Sequence, residues 1–184
     1  MPKISTASNI EIKNFISKII VLCLLPAILI STILFNYSTE ISQVLYGTTI
    51  GSNLVKKYVW FFIFFYLIQP FNTILLSTNQ SKIVFIISLI IHIIKLLIIL
   101  IFPIFNNDAL IISYFISYFL TFFIEYIILY KKYKFKINLK TLINLFFITI
   151  IINCLSFILI YFNIHFLIQI IIISIIYLIL TFIL

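Results

Sequence analysis

The chain has 184 residues, of which 65% are hydrophobic and only 9% charged, and a formal net charge of +8. A soluble domain is about 45–50% apolar and about 25% charged, so this composition excludes a water-clothed globule and predicts a protein dissolved in lipid, where the solvent is itself apolar. Nucleic acid is excluded as a partner despite the charge, because all 12 basic residues are Lys and they sit between apolar runs instead of striping a polar face.

The predicted architecture is an all-α membrane protein, a bundle of about six transmembrane helices, since crossing the hydrocarbon core takes about 20 apolar residues. Residues 1–14 read as a cytoplasmic N-terminal segment and 15–184 as the transmembrane bundle. The first helix is predicted over 15–35, with Pro26 near its middle and Cys23 among its apolar residues. Residues 36–57 form the longest connection and hold both glycines, Gly47 and Gly51. The second helix, 58–77, carries Pro70 in its second half, and Ser77-Thr78-Asn79-Gln80-Ser81-Lys82 follows as a compact polar turn. The third, 83–105, has His92 and Lys95 near its centre and Pro103 near its end, and Asn106-Asn107-Asp108 breaks the chain again. The fourth spans 109–130 and runs into the basic loop Lys131–Lys140. The fifth and sixth, 142–162 and 164–184, are divided only by Asn163 and His165. With two glycines in the chain, tight glycine-mediated packing is unavailable and helix contacts are expected to rest on Ser, Thr, Asn and aromatic residues. Cys23 and Cys154 both lie in apolar runs, where free thiols act as small hydrophobes.

Lysine placement sets an expected orientation. Lys131, Lys132, Lys134, Lys136 and Lys140 put the fourth connection in the cytoplasm, and alternation then places Lys82, Lys3, Lys13 and Lys18 there too. Lys56 and Lys57 fall outside and Lys95 within the membrane. The expectation is a multi-pass protein of the cell (inner or plasma) membrane with both termini cytoplasmic.

Several short motifs, in order along the chain, carry a resemblance. Met1-Pro2-Lys3-Ile4-Ser5 matches a Pro-x-x-Ser element, Leu25-Pro26 a central Leu-Pro, and Val44-Leu45-Tyr46-Gly47 an outward Leu-Tyr-Gly. Ser77 through Lys82 stands where a Gly-Lys-x-Lys turn is usual, without its glycine. Ile116-Ser117-Tyr118 through Tyr130-Lys131-Lys132 matches a helix entering a basic loop, whereas Asn106-Asn107-Asp108-Ala109 replaces a Gly-rich entry. Together these resemble the C-terminal portion of the lipid-linked polysaccharide (O-antigen) flippases of the multidrug/oligosaccharidyl-lipid/polysaccharide exporter superfamily. The resemblance implies the C-terminal lobe of a two-lobed flippase of about 12–14 helices, working by alternating access. It implies a polyprenyl-diphosphate-linked oligosaccharide as substrate, for cell-surface polysaccharide such as lipopolysaccharide or capsule. It also implies a missing N-terminal lobe, or other polysaccharide-assembly membrane proteins, as partners besides the lipid bilayer. The abrupt apolar end at Thr181-Phe182-Ile183-Leu184 adds to the expectation of a truncated piece.

The candidate substrate-binding residues are Lys95, His92, Gln69, Asn72 and Thr73. A charge at the bilayer centre costs about 2.5–3.5 kcal/mol on insertion scales, so it normally faces a cavity or a partner. Lys95 and His92, three apart on one helical face, offer positive charge or donors to a diphosphate; the competing reading is a snorkelling Lys. Glu125 reads as snorkelling toward the loop lysines or bonding them, with pairing to Lys95 as the lesser alternative. Gln69, Asn72 and Thr73 either line a polar cavity or glue helices together by hydrogen bonds. Pro26 and Pro70 are hinge candidates, since proline deletes a backbone hydrogen bond. No paired carboxylates, HExxH, Cys-x-x-Cys, phosphate loop or nucleophile elbow occurs, so neither enzyme activity nor a cofactor or metal is expected. The alternatives to a transporter component are a membrane-embedded polysaccharide polymerase or ligase, or a truncated, inactive flippase fragment.

Overall fold

The computed structural model describes residues 9–101, 109–162 and 164–182. Among these, all regular structure is helical: α1 (Asn9–Asn36), α2 (Ser38–Tyr46), α3 (Ser52–Tyr58), a 3-10 turn (Val59–Phe61), α4 (Phe62–Ser77), α5 (Ser81–Ile101), α6 (Ala109–Tyr133), α7 (Leu139–Tyr161) and α8 (Phe166–Phe182). Five helical runs are long and apolar enough to cross a membrane: Ile10–Asn36, Ser52–Ser77, Ser81–Ile101, Leu110–Tyr133 and Leu139–Tyr161. The chain is a multi-pass, all-α membrane protein.

Several expected boundaries shift, each for a physical reason. The first helix starts at Asn9 instead of residue 15. Ile12, Ile16 and Ile20 recur every fourth residue and are buried, while Asn14 and Lys18 between them are exposed. An amphipathic face, not overall hydrophobicity, therefore begins the helix. The connection over 36–57 holds two helices, and the span expected from 58 is helical from Ser52, with the 3-10 turn inside it. Gly47 makes the stop between α2 and α3: it sits at φ +68°, and its N–H donates to the Gln43 carbonyl at 3.0 Å. In the turn after α4, Asn79 takes φ +60°, so an Asn fills the left-handed position that glycine otherwise favours. The Gln80 N–H then returns to the Leu75 carbonyl at 3.0 Å. The fourth and fifth helices extend to Tyr133 and back to Leu139, where the Asn138 side chain caps the start by accepting from the Lys140 N–H at 3.1 Å. The expected break between helices five and six does occur, between Tyr161 and Phe166. The last helix has 17 residues, fewer than the about 20 that span the core upright. Residues 102–105 with Pro103, the Asn106–Asp108 turn, Asn163 and the Met1–Ser5 element lie outside the described residues.

The chain divides into two compact units, Met1–Ile20 with Phe64–Lys136, and Val21–Ile63 with Ile137–Leu184. In the first, α5 packs on α6. Aromatic side chains bring α4 onto α6. Phe64 lies 5.3 Å from Phe119 and 5.2 Å from Phe122 between ring centroids, and Phe71 stacks on Phe122 at 5.7 Å. Phe135, just past α6, folds back edge-on to Tyr126 at 5.3 Å. Such pairs hold helices together in lipid, where burial no longer removes apolar surface from water.

The second unit relies more on polar contacts. Its core is Ile28, Tyr37, Leu145, Ile148, Ile152, Ile173 and Tyr177. Four long-range hydrogen bonds join its elements. The Tyr37 hydroxyl donates to Gln169 Oε1 at 2.7 Å, and the Tyr177 hydroxyl to the Leu25 carbonyl at 2.8 Å. The Asn36 amide donates to Asn153 Oδ1 at 3.0 Å, and the Ser31 hydroxyl to the Val59 carbonyl at 3.3 Å. Most other Ser and Thr hydroxyls bond carbonyls of their own helix three or four residues back, as at Thr32, Thr149 and Ser174. Outward-facing Phe85, Leu100, Phe146, Phe157 and Leu178 are well exposed on the helix surfaces, an apolar coat that only lipid solvates without penalty.

Candidate intramembrane cavity

Helices α4, α5 and α6 of the first unit line a partly open cavity of about 460 Å³ within their apolar spans. Its polar lining comes from Asn72 on α4, from Ser88, His92 and Lys95 on α5, and from Tyr114, Ser117, Tyr118, Thr121 and Glu125 on α6. Helix α5 brings the ammonium of Lys95 and α6 the carboxylate of Glu125.

Lys95 holds its ammonium 3.2 Å from the centroid of the Tyr114 ring. The negative face of an aromatic ring attracts a cation by about 0.5–2 kcal/mol, most when the pair is desolvated. This contact sets the register of α5 against α6, with Lys95 at the level of Tyr114. Two helices joined by residues 102–108 run antiparallel, because so short a link cannot return along a helix of 21 residues.

His92 lines the same cavity, but one of its donors is used locally. Its Nδ1 lies 2.6 Å from the Ser88 carbonyl. A carbonyl only accepts, so Nδ1 carries the proton, and in the neutral ring Nε2 is then an acceptor. Lys95 is the cationic donor lining the cavity.

Of the three polar residues expected to act together on α4, only Asn72 reaches the cavity. Gln69 is exposed, and the Thr73 hydroxyl donates to the Gln69 carbonyl of its own helix at 2.9 Å. Pro70 is buried and Pro26 exposed, each inside a helix. The missing prolyl N–H leaves the Tyr66 and Leu22 carbonyls without their usual i+4 donor.

Glu125 differs most from the reading as a snorkelling side chain. It is 1% exposed and lines the cavity, and its Oε2 is buried without a hydrogen-bond partner. Helix α6 runs on to Tyr133, which sets Glu125 about 12 Å inside the helix end at 1.5 Å per residue. The separation from Tyr114 to Glu125 along the same helix is about 16 Å by the same rise, too far for Lys95 and Glu125 to pair directly. Asn72 Oδ1 is buried and unpartnered as well.

The sequence signal for this wall is a four-residue repeat on α6: Ser113, Ser117, Thr121, Glu125. All four fall on one face. Ser117 donates to the Ser113 carbonyl at 2.6 Å and Thr121 to the Ser117 carbonyl at 2.7 Å. With their hydrogens used on the helix backbone, these hydroxyls offer only lone pairs to the cavity. No group of three His, Cys, Asp or Glu converges among the described residues.

The second unit has a cavity of its own, about 530 Å³, lined by apolar side chains such as Leu24, Trp60, Leu145 and Phe157, with Thr149 and Asn153 as polar exceptions. Among the described residues no charged side chain lines it.

These features define a multi-pass membrane protein in which Lys95, His92 and Glu125 line one cavity. No family model, curated protein or solved structure matches the chain.

Proposed function

We propose that the chain is a membrane transporter component, carrying substrate without transforming it, and that its substrate is a lipid-linked anion of the polyprenyl-diphosphate oligosaccharide type. The observation behind this reading is Lys95, a cation within the membrane span in a cavity, whose contact among the described residues is an aromatic face. That resting partner is exchangeable. A diphosphate offers charge-assisted hydrogen bonds, which are roughly twice as strong as neutral ones, and these would displace a cation–π contact of about 0.5–2 kcal/mol. The head group belongs at the Lys95 end, since Glu125 would repel an anion at the other. By lysine asymmetry the Lys82 and Lys131–Lys136 end faces the cytoplasm of the cell membrane, with both termini on that side.

Binding tests this without requiring a full transport cycle. The purified chain in nanodiscs is titrated with a polyprenyl diphosphate and with the uncharged polyprenol of equal length, reading the ligand-induced thermal shift. Wild type should prefer the diphosphate, and Lys95→Arg should keep part of that preference, because charge survives while geometry changes. Lys95→Gln and Lys95→Leu should lose about tenfold or more, with Lys95→Leu folding as well as wild type because a membrane charge has been removed. Unchanged diphosphate preference in Lys95→Leu would refute the proposal.

A further inference from the structure

We infer that the apolar cavity of the second unit holds one acyl chain of an anionic phospholipid from the surrounding bilayer, whose phosphate sits on Lys56 and Lys57. The cavity follows α7 from Leu142 to Phe157, about 22 Å at 1.5 Å per residue, which covers the about 15 Å of hydrocarbon in one leaflet. Its rim residues Phe146, Cys154 and Phe157 are exposed, so the groove opens along its side. At about 530 Å³ it is several times larger than an apolar cavity of about 150 Å³ that stays dry, and unfilled walls forfeit dispersion contacts. Its two polar residues are already satisfied. Thr149 donates to the Leu145 carbonyl, the Asn153 amide donates to the Thr149 carbonyl, and Asn153 Oδ1 accepts from Asn36. The wall therefore selects a hydrocarbon chain. Charge at one end decides which lipid carries that chain. Trp60, in the cavity wall, lies 5.8 Å from Phe35 between ring centroids, and Lys56 Nζ lies 5.6 Å from the Phe35 centroid. An ammonium thus stands just beyond the Trp60 end, beside the kind of side chain that settles at head-group level. Lys56 and Lys57 are both exposed in the last turn of α3. In the proposed orientation they are the two loop lysines on the outer side, and a lipid phosphate accounts for a basic pair that topology does not require.

This site lies in the other unit from Lys95 and does not depend on the lipid-diphosphate reading. The chain has one tryptophan, Trp60, so its own fluorescence reads occupancy of the groove. The full chain is reconstituted in phosphatidylcholine vesicles with increasing fractions of brominated-chain phosphatidylglycerol or brominated-chain phosphatidylcholine, whose bromines quench an indole that they touch. Phosphatidylglycerol should quench at a mole fraction about fivefold lower or less, the worth of one basic residue at an anionic surface. Lys56→Gln combined with Lys57→Gln should bring the two curves together, while the corresponding pair of Arg substitutions should keep them apart. Cys154→Phe, which fills the open side, should weaken quenching by both lipids. Equal quenching by the two lipids in wild type would overturn the inference, as would an anionic preference that survives the Gln pair, or quenching unchanged in Cys154→Phe. Displacement of brominated phosphatidylglycerol by a polyprenyl diphosphate at a lower mole fraction than by unlabelled phosphatidylglycerol would overturn it in favour of a groove for the carried lipid.

Discussion

Removing the Tyr37 hydroxyl probes how α8 is held. Tyr37 and Gln169 are 1% and 4% exposed, and the phenol donates to Gln169 Oε1 at 2.7 Å. The Gln169 amide meanwhile donates to the Ile164 carbonyl at 2.5 Å, which fixes its orientation. Tyr37→Phe keeps the ring but leaves Gln169 Oε1 buried without a donor. An orphaned buried acceptor costs about 1–3 kcal/mol, while hydrogen bonds between membrane helices average about 0.6 with a maximum near 1.7 kcal/mol. Tyr37 lies just beyond the span Ile10–Asn36, so the expected loss is about 1–2 kcal/mol, roughly 5–30-fold in the folding equilibrium. The assay is reversible unfolding in mixed micelles followed by circular dichroism. Tyr37→Phe with Gln169→Leu should cost less than the sum of the single changes, because the second change removes the orphan. The pH dependence gives an independent check. Burial, and secondarily the Glu40 carboxylate, push the Tyr37 hydroxyl up to about 12 from its ordinary 10. A folded-state value raised in this way means the contribution is fully present below about pH 10 and is lost as pH climbs through about 12. The gap between wild type and Tyr37→Phe should therefore close over that window, the comparison cancelling lysine titration common to both. A Tyr37→Phe protein within about 0.3 kcal/mol of wild type at neutral pH, or a gap that does not change with alkaline pH, would refute the reasoning.

Phe122→Ala removes a ring that meets Phe64, Phe71, Phe123 and Tyr126. Without a water-transfer term the loss should fall below the about 3–5 kcal/mol of soluble cores, to about 1–2 kcal/mol. Phe146→Ala, at a side chain 64% exposed, should change stability by less than about 0.5 kcal/mol; equal effects in the same unfolding assay would contradict the aromatic packing. For orientation, single cysteines at Thr48 and Lys134, in a background lacking Cys23 and Cys154, should label from the outside and from the cytoplasm respectively. Labelling of Lys134 only from outside would reverse the proposed topology.

Fold class, membrane residence and the approximate place of each long helix are written in the sequence, because an apolar run of sufficient length has one low-energy form in lipid: a helix that bonds its own backbone. The turn at Asn79 was legible as a polar break for a similarly local reason, whereas the stop at Gly47 lay inside a stretch expected to be one long connection. Apolar run length marked the helix ends less well, since the start at Asn9 depends on a buried isoleucine stripe and the Ser52–Ser77 run on continuity through a 3-10 turn. The site was only partly visible. Lys95 stood out because a mid-membrane charge is costly wherever its neighbours lie. Gln69, Asn72 and Thr73 share an arc of the α4 surface at about 100° per residue, and only packing against α5 and α6 decided that Asn72 borders the cavity while Gln69 is exposed. Glu125 has a depth that its position along α6 fixes, but its seclusion comes from the helices that close over the Ser113–Glu125 face. The sequence by itself determines where the long apolar helices run; the rotation of each helix toward a neighbour or toward lipid arises from side chains distant in the chain, and tertiary structure alone decides it.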